Sequence, residues 1–558
     1  MAQKTVYLET FGCQMNVLDS ELVTAQLAAL GYRFVSSADD AQIVLYNTCS
    51  VRDNAEQKVR SRLGELALRK RNDAELLVGV LGCMAERDGV DLVHRMPVVD
   101  LLCGPAELDK LPMLLDNAAR TQQSLAGDQP HAISPNQIAL QGGASRRTAT
   151  LSAAQDQLEL LDLSRSISPT DHAGSAYVRI TRGCNKFCTY CVVPFTRGAE
   201  MHRPPDHIVD ECKRLADAGV IEVTLLGQTV NHYLFEHGAA VTVGGVTQPQ
   251  KGRSFKGGHS RDHFTGQRVT TFANLLGRIH DEVPAIQRLR FVTSYPRDFG
   301  DDALQTIRDC SRLCRYLHVP AQSGSDSVLK RMNRGYTAGE YLEFLDRAKA
   351  ILDQPEIGRP LMIAGDMIVG FPGETDDDFA ASVELLEKAK YKNCFIFKYS
   401  PRPGTVAFDK IPEDVPEHVK RRRNNELLAV QQRISDAVSQ AQVGSAFDVF
   451  VEGLSLHERK RQAPAQMLDG VSLTVQGQRV NSTNAATIAD GLVAETDTLS
   501  ASEPQRARAQ LVGRTDGDLI VLFDAPAGQA PDDLIGSIQP VRIERATALS
   551  LFGSLVNP

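Results

Sequence analysis

The chain has 558 residues, 42% of them apolar and 23% charged, and a formal net charge of −8. That composition suits a globular protein of three or four domains. It excludes a polycation, so nucleic-acid binding must come from local basic patches.

Residues 1–118 alternate strand and helix. "KTVYLETFG", "AQIVLYNT" and "LLVGVLG" read as strands. "LDSELVTAQLAALG" reads as a helix, with Asp19 or Ser20 near its cap and Gly31 at its end, and "NAEQKVRSRLGELALRK" as a second helix. Such alternation predicts a parallel sheet with helices on its faces. Residues 119–170 are rich in Gln, Ser, Gly and Pro and read as a linker or insertion, with one short helix around "DQLELLDL". Alternation resumes over 171–412. The strands there are "AYVRITRG", "IEVTLLGQ", "RLRFVTSYP", "YLHVPAQ", "PLMIAGDMIVG" and "NCFIFKYS". Six βα units predict an incomplete TIM-type barrel, whose active groups sit at the C-terminal ends of the strands. A Gly-, Gln- and His-bearing stretch near 237–267 reads as a surface insertion. A connecting helix over 413–443 leads to a small β-barrel over 444–558, with a polar, disordered insertion near 460–509. The expected class is α/β, with a β-barrel at the end. The start "MAQKTVYLET" lacks an apolar signal core and no spanning apolar run follows, so the expected location is cytoplasmic.

Eleven cysteines in such a chain favour metal or redox use over a disulfide framework. "RITRGCNKFCTYCVVPFTRG" carries Cys184, Cys188 and Cys191 at the spacing Cys-x3-Cys-x2-Cys, in the loop after the first barrel strand. Thiolates are the usual ligands of iron–sulfur clusters. Three of them hold three irons of a 4Fe-4S cube and leave the fourth open to a substrate. A zinc site calls for a fourth Cys or His close by, and none follows; a zinc knuckle or packed thiols are the alternatives. Cys13, Cys49 and Cys83 follow the first three strands of the N-terminal domain. Successive βαβ units bring such strand ends to one sheet edge. These three either pack as small buried residues or converge as a second ligand set.

With Tyr190 before its last cysteine, the motif is similar to that of radical S-adenosylmethionine enzymes. "CVVPFTRGAEMHRP", "LLGQTVN", "LHVPAQSGSDSVLKRMNRGYT", "DMIVGFPGET" and "FKYSPRPGT", spread over Val178–Thr405, resemble the methylthiotransferases. "TFGCQMN", "NTCSVRDNAEQKV" and "LGCMAER" resemble the MiaB-type branch, which modifies tRNA. The branch acting on a ribosomal protein carries a Pro-Lys pair where this chain has Gln14 and Met15. His202 departs from the pattern, which commonly has Ser there.

The resemblance implies a radical 4Fe-4S cluster on Cys184, Cys188 and Cys191. Its open iron would chelate the methionine moiety of S-adenosylmethionine, with Tyr190 near the adenine, and its electron would yield a 5′-deoxyadenosyl radical. It implies an auxiliary 4Fe-4S cluster on Cys13, Cys49 and Cys83, which holds or donates sulfur methylated by a second S-adenosylmethionine. The product would be a methylthio group at C2 of N6-isopentenyladenosine at tRNA position 37. The end barrel would be a TRAM-like RNA-binding module. The implied partners are the tRNA anticodon stem-loop, a reductant and a sulfur donor, and the expected state is a monomer. The alternatives are threonylcarbamoyladenosine in tRNA or a ribosomal small-subunit protein as target, and a non-catalytic RNA-binding metal protein.

Polar groups at strand ends are the candidates for holding S-adenosylmethionine. They are Gly227, Gln228, Ser294, Gln322, Ser323 and Asp366, with Gly370, Gly373 and Glu374 nearby. Arg182, Arg197 and Arg203 flank the cysteine loop and are candidates for phosphate or cofactor carboxylate. The run Lys420–Arg423 is a candidate RNA contact. Cys103, Cys212, Cys310, Cys314 and Cys394 are expected to be non-catalytic.

Overall fold

A computed structural model describes residues 4–50, 53–125, 137–141, 156–165, 167, 174–252, 268–462, 473–475, 478–480 and 508–556. The N-terminal strands are β1 (Thr5–Phe11), β2 (Arg33–Phe34), β3 (Ile43–Thr48), β4 (Leu77–Gly82), β5 (Leu101–Cys103) and β6 (Gln137–Ala139). They form one parallel sheet in the order β2-β1-β3-β4-β5-β6. β1, β3 and β4 are buried along their whole length, because helices cover both faces of the sheet. Helices Gln14–Ala29 and Leu111–Leu125 contribute to the core on one face. Asp53–Lys70 and Cys83–Arg95 contribute to the other.

Two expectations for this domain are corrected. The first helix starts at Gln14 with Cys13 at its N-cap, not at Asp19 or Ser20. Those polar residues are buried because they have partners inside: Asp19 pairs with Arg179 and Arg197, and Ser20 bonds Thr10 and Asn47. Gly31, at φ 87°, does turn the chain out of the helix. The expected linker over 119–170 also supplies structure. The fourth helix runs on to Leu125, and Gln137–Ala139 adds a sixth strand beside β5. A three-residue strand is too short to show a period in sequence. The expected short helix is present as Gln157–Leu163. The rest of that stretch lies outside the described residues.

Six further parallel strands follow in chain order. Ser175–Arg179, Glu222–Leu226 and Arg288–Phe291 form one run; Tyr316–His318, Met362–Val369 and Asn393–Lys398 form the other. The parallel bridge Leu289–Leu313 and the bond from Ser294 N to His318 O (3.1 Å) join the two. The result is an α/β half-barrel with its helices outside. The stretch near 237–267 is more than a surface insertion. After a hairpin of Thr242–Val243 with Val246–Thr247, the segment Gln250–Lys251 pairs with Met201–His202, which in turn pairs with Thr181–Arg182. Residues 253–267 lie outside the described set.

Helix Glu417–Gln440 leads to a closed five-stranded barrel. Its strands are Ala446–Leu454, Gln510–Arg514, Ile520–Asp524, Ile538–Ala546 and Leu551–Leu555. The last was not expected from sequence; it closes the barrel by lying parallel to Ile520–Asp524 and antiparallel to Ile538–Ala546. Helix Leu456–Gln462 runs into the start of the stretch expected to be disordered, and a two-strand pair, Leu473–Val475 with Gln478–Val480, is formed within it. Its remainder lies outside the described residues. Among the described residues no helix is long and apolar enough to cross a membrane.

Candidate functional site

The loop after the first barrel strand carries Cys184, buried, and Cys188 and Cys191, partly buried. Gly183 opens the loop at φ 70°, where a Cβ would lie 2.1 Å from Ala199 O. Phe187, half exposed, also sits in the left-handed region, at φ 50°. The loop is held from the segment after the fourth barrel strand. Thr189 N donates to Met332 O (3.0 Å), Thr189 Oγ1 to Arg331 O (2.9 Å), and Asn333 Nδ2 to Phe187 O (3.0 Å).

Arg334 is buried, and its Nη1 donates to Cys188 Sγ (3.3 Å). Its guanidinium lies over the rings of Tyr295 and Tyr336, 4.6 and 5.1 Å from their centroids. Sequence reasoning missed it. Burial pushes the Cys184 thiol well up, and burial with the neighbouring Cys188 pushes Cys191 up to about 12. Buried thiols of this kind give up their protons when a metal supplies the compensating charge. With a fixed arginine already on one sulfur, the donor set fits an iron–sulfur cluster.

The cofactor candidates lie around the same strand ends. Ser294 is buried, and its Oγ has no hydrogen-bond partner among the described residues. The preceding Thr293 has φ 67° and Gln322 has φ 75°. Left-handed backbone at a β-branched residue is strained and is a mark of functional sites. Gln322 N donates to Asp366 O (2.8 Å), and Asp366 Oδ1 meets His318 Nε2 at 3.1 Å. His318 is a second residue that sequence reasoning passed over. The Tyr190 ring packs edge-on to Phe371, with centroids 6.4 Å apart. A Cβ on Gly227 would lie 2.1 Å from Thr181 Oγ1, so only glycine permits that approach; the neighbouring Gln228 is half-buried. Ser323 is fully buried. Its hydroxyl accepts from Ser325 N (3.2 Å) beside Ser382 and so builds the turn.

Cys13, Cys49 and Cys83 follow β1, β3 and β4, which are adjacent and parallel, so all three stand at one edge. Gly12 leaves the space: a Cβ there would lie 3.0 Å from Cys49 Cβ. Cys13 Sγ contacts Asn16 Oδ1 at 3.3 Å. Burial raises the Cys83 thiol, against a hydrogen bond from Arg197, and the charge of Cys13 raises it further. Arg197 comes from the radical-type loop and also bonds Asp19 Oδ2 (2.8 Å). Helix Cys83–Arg95 packs against Val193–Thr196, which follows Cys191, so the two cysteine-bearing stretches are neighbours.

Other sequence candidates have structural partners. Arg203, 1% exposed, is tied to Glu159, Asp162 and Glu211, and is thereby withdrawn from any RNA or cofactor contact. Arg182 pairs with Asp156. Lys420 pairs with Glu413, and Arg423 with Glu374 and Asp376; both cations are buried, so only Arg421 and Arg422 of that run face solvent. Glu374 also accepts from Gly370 N (2.7 Å), with Gly370 and Gly373 at φ 71° and 79°. Cys103, Cys212, Cys314 and Cys394 are buried, and Cys310 is partly so.

The comparisons agree with these two regions. Residues 5–104 match the family described as Uncharacterized protein family UPF0004, and residues 178–386 match the Radical SAM superfamily. Three bacterial relatives carry the description tRNA-2-methylthio-N(6)-dimethylallyladenosine synthase. The protein of Rhodopirellula baltica is 42% identical over 85% of this chain and 88% of its own length. That of Roseobacter denitrificans is 36% identical over 84% and 92%. That of Opitutus terrae is 33% identical over 99% and 97%. Among solved structures, the radical S-adenosylmethionine methyltransferase TsrM of Kitasatospora setae is similar at a TM-score of 0.43 and 15% identity, over 73% of this chain and 77% of that one.

Proposed function

This chain belongs to the family of tRNA-2-methylthio-N(6)-dimethylallyladenosine synthases and is a radical S-adenosylmethionine methylthiotransferase acting on tRNA; we propose that its six strand-end cysteines divide the reaction between two 4Fe-4S clusters. Cys184, Cys188 and Cys191 hold the cluster that works with S-adenosylmethionine. Cys13, Cys49 and Cys83 hold the cluster that serves sulfur. The product is a methylthio group at C2 of N6-isopentenyladenosine at position 37 of the tRNA. The observation that supports the reading is the packing of helix Cys83–Arg95 on Val193–Thr196, beside Cys191, with Arg197 reaching across to Asp19 (2.8 Å).

When bound, the first cluster and S-adenosylmethionine together supply one-electron cleavage of a sulfonium, and the chain supplies position and dryness. Arg334 donates to the Cys188 sulfur and sets its charge. Ser294 Oγ offers an unused polar contact. Gln322 and Asp366 are fixed to each other through backbone and present polar groups at the barrel mouth. Tyr190, braced by Phe371, offers a flat face for the adenine. Asp19 and Arg197 keep the second trio in register with the first. The target base has to leave its stack to reach the trios, which an adenosine in an anticodon loop does readily. We assign tRNA binding to the closed end barrel, as a TRAM-like module; an external reductant and a sulfur donor complete the turnover.

The test is anaerobic assay of the reconstituted enzyme on an isopentenylated anticodon stem-loop, with nucleosides read by mass spectrometry. The 2-methylthio product is expected. A product formed only on a parallel stem-loop carrying threonylcarbamoyladenosine, or a colourless protein without iron and sulfide, would overturn the reading.

A further inference from the structure

We propose that Glu200, His202 and His232 form a third metal site, for one divalent ion of zinc type, which braces the loop bearing Cys184. The three side chains are buried, at 0%, 2% and 7% exposure, and their ligand atoms all lie within 4.8 Å of one another. None belongs to either cysteine trio.

The geometry is close to a coordination shell. Glu200 Oε1 lies 2.9 Å from His232 Nδ1 and 4.0 Å from His202 Nε2. Metal bonds of roughly 2.0–2.1 Å in a tetrahedron put ligand atoms about 3.3 Å apart. One distance is shorter than this and the other longer, and the remaining pair, His202 with His232, lies within 4.8 Å.

His202 is the telling residue. Its Nδ1 is buried with no hydrogen-bond partner among the described residues, and its Nε2 lies 4.0 Å from Glu200 Oε1. A buried imidazole held so loosely is unfavourable; an ion gives Nε2 a ligand bond, while Nδ1 keeps its place in the apolar packing. The chain also closes tightly over this nitrogen: a Cβ on Gly252 would lie 2.6 Å from it. The carboxylate is oriented by Thr229 Oγ1 (3.1 Å), a support of the kind that metal ligands need. The nearby cation Lys186 is balanced by Asp298 at 2.5 Å.

Two imidazoles and a carboxylate without a thiolate suit zinc or a similar borderline ion, and they do not compete with the cysteines for iron. The site joins three stretches of chain. Met201–His202 pairs with Thr181–Arg182, which leads into Cys184; Gln250–Lys251 closes the other side; and His232 ends the turn after the second barrel strand. Asn185, next to Cys184, accepts from Glu200 N (3.1 Å). An ion here clamps the cysteine loop to the neighbouring βα turn and takes no part in group transfer.

The experiment uses the anaerobically reconstituted full-length enzyme, whose cysteines are occupied by clusters. It is freed of loose metal, titrated with zinc chloride, and read by elemental analysis and zinc-edge X-ray absorption. The expected result is one zinc per chain with a nitrogen and oxygen shell, no sulfur, and unchanged iron and sulfide. His202→Ser and His232→Ser should each weaken zinc binding by about tenfold or more, with iron content measured alongside. The absence of bound zinc, a sulfur-rich shell, or variants that keep the same zinc spectrum would overturn the proposal. If a variant loses iron as well as zinc, the wild-type spectrum alone decides. Failure here leaves the methylthiotransferase reading untouched, since that rests on iron, sulfide and product.

Discussion

At the scale of single residues, the two cysteine trios make separable claims. On the assignment proposed above, Cys184→Ala removes a ligand from the cluster that works with S-adenosylmethionine. We expect 5′-deoxyadenosine formation, measured by liquid chromatography with mass spectrometry, to fall to background. Cys13→Ala removes a ligand from the other edge, so some deoxyadenosine persists while the methylthio product disappears. Equal loss of cleavage in both variants would contradict two sites with distinct tasks. Arg334 tests how the protein sets cluster charge. Its Nη1 sits 3.3 Å from Cys188 Sγ in a buried setting, where a hydrogen bond to a charged group contributes about 1.5–3 kcal/mol. That bond favours the reduced, more negative cluster. Arg334→Met should therefore lower its potential, by at most roughly 60–120 mV, the limit in which the whole bond energy distinguishes the two redox states, since a tenfold change in a one-electron equilibrium is about 59 mV. A redox titration followed by electron paramagnetic resonance measures it, and an unchanged potential would assign Arg334 to packing against Tyr295 and Tyr336 alone.

At the scale of elements, helix Gln157–Leu163 ties the two α/β units together through charge. Asp162 bonds Arg179, which reaches Asp19 of the first helix, and Glu159 bonds Arg203 and His207. Burial alone would raise the Glu159 carboxyl, but Arg203 and then His207 hold it down at about 2. A folded-state value below the unfolded 4.5 means the group stabilises the fold fully above pH 4.5. That contribution falls away as the pH drops towards about 2. Glu159→Gln leaves Arg203 short of a buried partner, and should cost about 3–5 kcal/mol at pH 7. The gap to wild type should narrow between pH 4.5 and 2; denaturant melts at several pH values read both effects, and a gap independent of pH would rule out the linkage. None of this network was legible in sequence, because a charge does not announce its burial and Arg203 meets Glu159 across 44 residues. The place of the cysteine loop, after the first barrel strand, was legible because its three cysteines lie close together in sequence. The N-terminal trio was legible because each cysteine ends a strand of a regular βα repeat. Arg334 was not, since its sulfur partner lies 146 residues away. β6 and the closing strand Leu551–Leu555 were missed because short runs lack a period, and their places are fixed by the partners they pair with.

At the scale of the whole molecule, the end barrel docks far from the cysteines. Arg288 and Arg290 bond backbone oxygens of Asp448, Arg514, Thr515 and Asp516, and Lys392 pairs with Asp518. Tyr316 and Met362 share a core with the barrel. Arg288, Tyr316 and Met362 open their strands, Lys392 precedes one and Arg290 lies two residues into its own, so the barrel covers the starting halves of the strands while the cysteines follow strand ends. Eight residues of Met362–Val369 separate the two edges, roughly 25 Å at the rise of a β-strand. An RNA held on the barrel must therefore span that distance to present a base, as the length of an anticodon arm allows. With a chain charge of −8, the grip has to be local. Arg542 and Arg545 are exposed on one strand, and the Arg545 guanidinium lies 3.8 Å from the centroid of the Phe552 ring, a surface suited to phosphate and to stacking. Arg542→Glu with Arg545→Glu should weaken tRNA binding and reduce the slope of log K against log salt by about one for each lost phosphate contact. Cleavage of S-adenosylmethionine without tRNA should stay unchanged, because the substitutions lie at the opposite edge. Filter binding over a salt series and the uncoupled deoxyadenosine assay measure the two quantities. Unaltered affinity and slope would move the RNA-binding surface off this strand, and leave the exposed Arg421 and Arg422 beside the half-barrel as the remaining cations of the connecting run.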